Sequence, residues 1–137
     1  MTTENRKVVM TSVPRGMPAA SDFEIQTERL PEPDDGQMLL RTNWLTLDPY
    51  MRSGFMNDAD NVGSTVIGGT VSEVVASRAS GWSEGDLVVG YYGWQEYSLA
   101  TPDDVQWNNP GMPIQKWDES LGCLLYTSDA ADELLGV

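Results

Sequence analysis

The octapeptide Leu45-Thr46-Leu47-Asp48-Pro49-Tyr50-Met51-Arg52 brings a carboxylate, a phenol and a guanidinium together within one short stretch. A phenol has a reference pKa of about 10, so it stays protonated at neutral pH. It can donate a hydrogen bond to an oxygen on which negative charge develops. Tyr50 is the candidate for that work; packing inside a β-barrel beside Met51 is the competing reading. Asp48 directly precedes Pro49, which suits a turn-capping carboxylate better than a general base. Arg52 suits a surface ion pair, with contact to a cofactor phosphate as the alternative. Trp94 and Tyr97 read either as the walls of a cleft or as core aromatics. Met51, Phe55 and Met56 read either as an apolar substrate pocket or as plain packing.

Composition removes several other chemistries. The 137 residues include no His and one Cys. Charge-relay catalysis through histidine is excluded. Most zinc sites are excluded too, because they need three or four nitrogen or sulfur ligands; no metal site is expected. The formal net charge is −13, and such a surface repels phosphates, so nucleic acid is an unsuitable partner. No apolar run approaches the roughly 20 residues that cross a bilayer. The segment Met1 to Lys7 is polar and no signal-like apolar stretch follows it, and a single cysteine forms no internal disulfide, so a cytoplasmic location is expected.

The elements that must position these residues read as short strands separated by turns. Arg6 to Ser12 and the alternating Phe23 to Glu28 are strands, with a turn at Pro14-Arg15-Gly16 between them. Pro31 to Gly36 is a loop. Gln37 to Leu47 is a strand expected to set Met38, Leu40, Thr42 and Trp44 on one side and Leu39, Arg41 and Asn43 on the other. Tyr50 to Met56 reads as a short helical turn opened by Pro49, and Asp58 to Gly63 as exposed loop. Thr65 to Val75 is a strand in which Gly68-Gly69 marks a bulge or a close backbone approach. After a turn at Gly81 to Asp86, Leu87 to Val89 and Trp94 to Ala100 are strands. Thr101 to Asp118 reads as irregular, and Asp118-Glu119-Ser120 as a helix start. Many short strands with glycine-rich turns predict a mainly β fold, a small barrel or sandwich.

Beyond Gly122 the composition shifts. Cys123-Leu124-Leu125-Tyr126-Thr127-Ser128-Asp129-Ala130-Ala131-Asp132 resembles the translated end of a widely used sequencing adapter. The resemblance implies that residues 123–137 are a non-native tail, with a short native amphipathic helix as the alternative. Cys123 accordingly carries no functional expectation, and residues 1–122 are the part to interpret.

The motif Leu45 to Arg52 resembles a signature of the zinc-independent medium-chain dehydrogenase/reductases, in the subgroup of prostaglandin and leukotriene reductases, 2-alkenal and plant double-bond reductases, and bacterial curcumin reductases. Further stretches agree in the same order: Asn5-Arg6 with Pro14-Arg15-Gly16, Gly36 to Thr42, Ile67-Gly68-Gly69-Thr70-Val71, Gly85 to Gly90, and Gly93-Trp94-Gln95-Glu96-Tyr97. The resemblance implies an N-terminal GroES-like β-barrel fragment of the catalytic domain, followed in the parent protein by a Rossmann domain. No G-x-G-x-x-G turn occurs here, and Gly90-Tyr91-Tyr92-Gly93 has the wrong spacing, so the cofactor module is absent from this stretch.

It further implies NADPH-dependent reduction of the carbon–carbon double bond of an α,β-unsaturated ketone or aldehyde. Tyr50 would be the catalytic hydrogen-bond donor, and Pro49, Tyr50 and Met51 would touch the cofactor. The isolated fragment would be inactive, and a homodimer would form through the missing domain of the full-length parent. A quinone reductase of the same superfamily and a non-catalytic β-barrel binding module are the rival readings.

Overall fold

The computed structural model describes residues 2–106 and 109–118. The fold is mainly β, as expected. Strands β1 (Glu4–Met10) and β2 (Phe23–Arg29) form an antiparallel pair. β3 (Met38–Leu45), β4 (Thr70–Ser77), β5 (Leu87–Gly90), β6 (Tyr97–Ala100) and β9 (Gln115–Trp117) form an antiparallel sheet in the order β6-β3-β4-β5-β9. β7 (Val105–Gln106) and β8 (Asn109–Pro113) make a small separate pair. Among the described residues the one α-helical turn, α1, is Tyr50–Ser53. Among the described residues no helix is long and apolar enough to cross a membrane.

The free edge of β1 joins the two larger sheets. Glu96 N donates to Arg6 O at 2.9 Å and Val8 N to Trp94 O at 2.9 Å. Farther along the same edge, Val66 N donates to Val8 O at 2.9 Å and Met10 N to Ser64 O at 3.1 Å. Asn5, 1% exposed, fixes the register of this junction. Its Nδ2 donates to Glu28 Oε1 and Gln95 Oε1, and its Oδ1 accepts from Tyr97 N at 2.9 Å. A buried amide held on three sides is specific as well as stabilising, since any shift of β1 strands a desolvated donor or acceptor.

Burial divides into two cores. Met38, Leu40, Val74, Ala79, Val88, Ala100 and Ile114 pack together, flanked by Trp82 and Tyr92. Met10, Met51, Phe55, Met56 and Val66 form the other, flanked by Phe23 and Trp94. The second core lies under α1 and supports the region of the octapeptide.

Three expectations need correction. The strand read over Thr65 to Val75 is broken: residues 64–66 bond to β1, and β4 starts only at Thr70. Gly68-Gly69 is a close approach, not a bulge within one strand. The alternation expected along β3 also fails, because register shifts at Leu39/Leu40 and Thr42/Trp44 turn the strand. Leu39 is consequently buried beside Met38 and Leu40, while Trp44 is 64% exposed. The stretch Thr101 to Asp118 carries β7, β8 and β9, where irregular chain was expected. Pro110 and Pro113 sit in a two-stranded pair, where a missing N–H costs no interior ladder bond, and Pro102 lies in the turn before it. The helix start at Asp118-Glu119-Ser120 and the tail 123–137 lie outside the described residues, apart from Asp118.

Gly93 has φ +78°, and a Cβ there would stand 2.6 Å from Val66 O; Gly36 has φ +81° with open space around it. Gly36→Ala is expected to cost about 1 kcal/mol through φ alone, and Gly93→Ala about 3 kcal/mol or more because strain and collision add. Denaturant midpoints of the two variants measure the difference.

The Glu28 carboxyl is held below the usual carboxylate range by a hydrogen bond from Lys7 and a weaker one from Asn5, working against desolvation. A depressed carboxylate stabilises the fold above its unfolded value of about 4.3, and that contribution is lost as pH falls through the lower folded value. Glu28→Gln is expected to lower stability by a few tenths of a kcal/mol at pH 7, since the pair is largely exposed. The gap from wild type should close below about pH 4, as read by thermal unfolding across that range.

Candidate functional site

The site begins where β3 ends. Thr46 N donates to Gly69 O at 2.9 Å, and Thr46 Oγ1 accepts from Gly69 N at 3.0 Å. These bonds fix the chain leaving β3. Pro49, with φ −58°, is preset for the helical turn that follows, and Met51 N closes onto Asp48 O at 3.1 Å. Gly54 N ends the turn on Tyr50 O at 2.8 Å. Met51, 2% exposed, points into the second core, and its Sδ accepts from Asp48 N at 3.3 Å. With Met51 directed inward, Tyr50 stands on the outer side of the turn and is 39% exposed. Tyr50 is thus not a packing residue of the barrel interior.

The Tyr50 hydroxyl is hydrogen-bonded to the Tyr91 hydroxyl. Tyr91 follows β5 on the segment that leads to Trp94. Its neighbour Tyr92 turns inward and donates to Asp104 Oδ2 at 2.9 Å. Partial burial raises the pKa of Tyr50, the bond from Tyr91 opposes that rise, and the charge of Asp48 adds to it. Tyr91 is pushed well above the ordinary phenol value, first by burial and then by its bond to Tyr50. Both phenols are therefore neutral at pH 7, and together they present hydroxyl groups that can donate.

Asp48 and Arg52 do not hold the places expected of them. The α1 turn has no side-chain cap; Pro49 occupies the cap position, and the Asp48 carboxylate acts on the two phenols. Arg52 Nε donates to Gly16 O and Nη2 to Pro14 O, both at 3.0 Å. The guanidinium fastens the turn after β1 to α1. Two of its five N–H donors are used on these carbonyls, and its charge also acts on the nearby Asp22 carboxylate.

Against the α1 turn lies an open depression of ≈ 250 Å³, lined mainly by Leu47, Pro49, Met51, Met56 and Trp94, with Asp48 and Arg52 also in its wall; Tyr50, on the outer side of the turn, does not line it. Trp94 is set by its Nε1, which donates to Thr46 O at 3.3 Å, and by Phe23, whose ring centre is 6.4 Å away. Tyr97 is in β6, where its backbone N meets Asn5, away from this depression. Phe55 and Met56 belong to the second core, Met56 also reaching the depression. Trp44, Leu45 and Leu47 are exposed on the chain approaching Tyr50. Among the described residues no three Cys, His, Asp or Glu side chains gather to hold a metal ion. An apolar, weakly polar-rimmed hollow fits the flat ring of a nicotinamide or the conjugated part of an enone. The phosphates of a dinucleotide would need donors from elsewhere.

Tyr91 escaped the sequence reading. Its only signal was a tyrosine doublet between glycines at the end of a strand, where one ring turns inward and the other outward.

The N-terminal domain of oxidoreductase family model matches residues 6–107. The chain is 42% identical over 107 residues to the NADPH-dependent curcumin reductase of Escherichia coli, covering 74% of this chain and 31% of that protein. It is 35% identical over 129 residues to the NADP(+)-dependent 2-alkenal reductase of Nicotiana tabacum, covering 86% of this chain and 38% of that protein. The structure of CurA from Vibrio vulnificus in complex with NADPH superposes with a TM-score of 0.65 at 40% identity, over 69% of this chain and 30% of that one. The chain spans about a third of the length of the curated relatives it matches.

Removing the two bonds from Arg52 should free the Pro14–Gly16 turn from α1. Arg52→Ala is expected to cost about 1–3 kcal/mol and to raise amide hydrogen exchange near Gly16 and Met17 before that of β4.

Proposed function

Since the chain belongs to the zinc-independent medium-chain oxidoreductases, in the alkenal and curcumin reductase subgroup whose N-terminal domain it matches, we propose that the protein it forms part of reduces the carbon–carbon double bond of an α,β-unsaturated ketone or aldehyde with NADPH. Residues 1–122 then form the N-terminal part of the catalytic domain, and a nicotinamide-binding domain elsewhere in the full-length protein holds the cofactor. The observation that carries the reading is an exposed, neutral phenol, Tyr50, on the α1 turn whose flanking residues Pro49 and Met51 line an apolar depression.

NADPH, when bound, supplies the hydride that adds to the β-carbon of the enone. The proton that completes the reduction at the α-carbon comes from solvent or a cofactor hydroxyl, and the residues of this chain bind and polarise the substrate. Leu47, Met56 and Trp94 offer the apolar surface on which the conjugated system rests. Tyr50 donates a hydrogen bond to the carbonyl oxygen, where negative charge grows as the double bond is consumed. A donor placed where charge develops lowers the barrier more than it strengthens ground-state binding. A raised phenol pKa keeps that proton in place at neutral pH. Pro49 and Met51 line the hollow into which the nicotinamide ring would fit, and Tyr50 stands between them in the chain on the outer side of the turn.

In the full-length protein, Tyr50→Phe should lower kcat for a simple enone by on the order of 10² with a small change in KM, as for the loss of one oxyanion donor. NADPH oxidation followed by absorbance, with enones and quinones compared as substrates, measures it. Unchanged turnover would remove Tyr50 from the mechanism, and faster turnover of quinones would move the substrate class.

A further inference from the structure

The two phenols share one hydrogen bond, and its direction decides what Tyr50 can do. If Tyr50 donates to Tyr91, its single proton is committed within the protein and no donor remains for a substrate. If Tyr91 donates, the Tyr50 oxygen is already an acceptor and its proton is available to a third group. We propose that Tyr91 is a positioning residue that donates to the Tyr50 oxygen, so that the Tyr50 O–H is left to hydrogen-bond the substrate carbonyl. This role rests on the proposed reading of Tyr50.

The contact and the proposed role of Tyr50 together set that direction. The two hydroxyl oxygens are in hydrogen-bond contact, so one proton lies between them. A Tyr50 that serves a substrate carbonyl uses its own proton there, which leaves Tyr91 as the donor between the oxygens. Tyr91 is also carried on the better-fixed segment. Tyr92 beside it is tied to Asp104, Gly93 N donates to Gly68 O at 3.1 Å, and Trp94 N donates to Val66 O at 2.8 Å. Tyr50 rides on a single turn of helix. Donation into the Tyr50 oxygen polarises its O–H, so a chain Tyr91 to Tyr50 to carbonyl is a stronger donor than Tyr50 alone. When substrate enters, the Tyr91 bond holds the Tyr50 oxygen still as its proton turns to the carbonyl.

Tyrosine Cζ-labelled NMR titration of this chain tests the direction, with assignments from Tyr50→Phe and Tyr91→Phe. Tyr50 should titrate at higher pH in Tyr91→Phe, by about half a unit or more, because a donor to its phenolate is lost. Reciprocally, Tyr91 should titrate at lower pH in Tyr50→Phe, because the acceptor of its proton is lost. Either variant alone suffices if the other fails to fold. Shifts of the opposite sign, or none, overturn the assignment.

In the full-length protein, Tyr91→Phe should lower kcat for an enone about tenfold with KM nearly unchanged, and the double variant should be no slower than Tyr50→Phe, since the two act as one unit. Wild-type turnover in Tyr91→Phe with slowed turnover in Tyr50→Phe overturns the positioning role alone. Wild-type turnover in Tyr50→Phe sinks the reading of Tyr50 and the positioning role with it.

Discussion

Three stretches of chain converge at Gly68 and Gly69, and a side chain at either position would crowd them. A Cβ on Gly68 would lie 3.0 Å from Trp94 Nε1 and 3.3 Å from Thr46 O. One on Gly69 would lie 3.2 Å from Thr46 Oγ1 and 3.8 Å from the Tyr91 ring. The exit of β3, which carries Tyr50, and the segment 91–94, which carries Tyr91 and Trp94, are brought together across this glycine pair. Phenol contact, indole wall and apolar hollow all follow from that approach. The glycines touch no substrate, yet their lack of side chains sets the width of the site.

Electrostatics divides the work in a chain of net charge −13. Exposed carboxylates are paired where they hold strands in register: Glu28 with Lys7, Glu96 with Arg6, Glu73 with Arg41, Asp86 with Lys116. Arg52 serves backbone carbonyls. Near Tyr50 the local field is negative, from Asp48. Such a field helps a neutral phenol retain its proton. A phenol donor is the choice consistent with that surrounding, because it carries no charge of its own at pH 7.

Much of this was legible in the residues because local chemistry fixed it. Pro49 opening a turn, Gly68-Gly69 marking a bulge or a close approach, and a strand over Phe23 to Glu28 each rest on backbone preference or residue type, although the half-buried alternation expected of that strand fails, with Ile25 68% exposed. What escaped depends on contacts distant in sequence. The twist of β3 comes from register shifts against β4, so Trp44 left the face its parity assigned. Asp48 has the type and place of a cap, but Pro49 takes the cap position with no side-chain bond made there, and the charge of Asp48 bears on Tyr50. Arg52 met two carbonyls 36 and 38 residues away. Tyr91 gained meaning only when the fold set its hydroxyl against that of Tyr50, 41 residues earlier.

The exposed apolar residues bear on how the site would be completed. Trp44, Leu45 and Leu47 run along the chain into Tyr50 and are 64%, 44% and 73% exposed. Isolated apolar residues on a surface are ordinary, but three in sequence beside a reactive phenol form a continuous strip. Water on that strip would also hydrate the Tyr50 hydroxyl and weaken any bond it makes to a carbonyl, since a hydrogen bond gains strength as the local dielectric falls. The same surface that calls for cover is the one whose covering would dry the site. In the proposed enzyme, burying the strip and strengthening the Tyr50 donor are a single event, so this chain alone holds the donor in its weaker, hydrated condition.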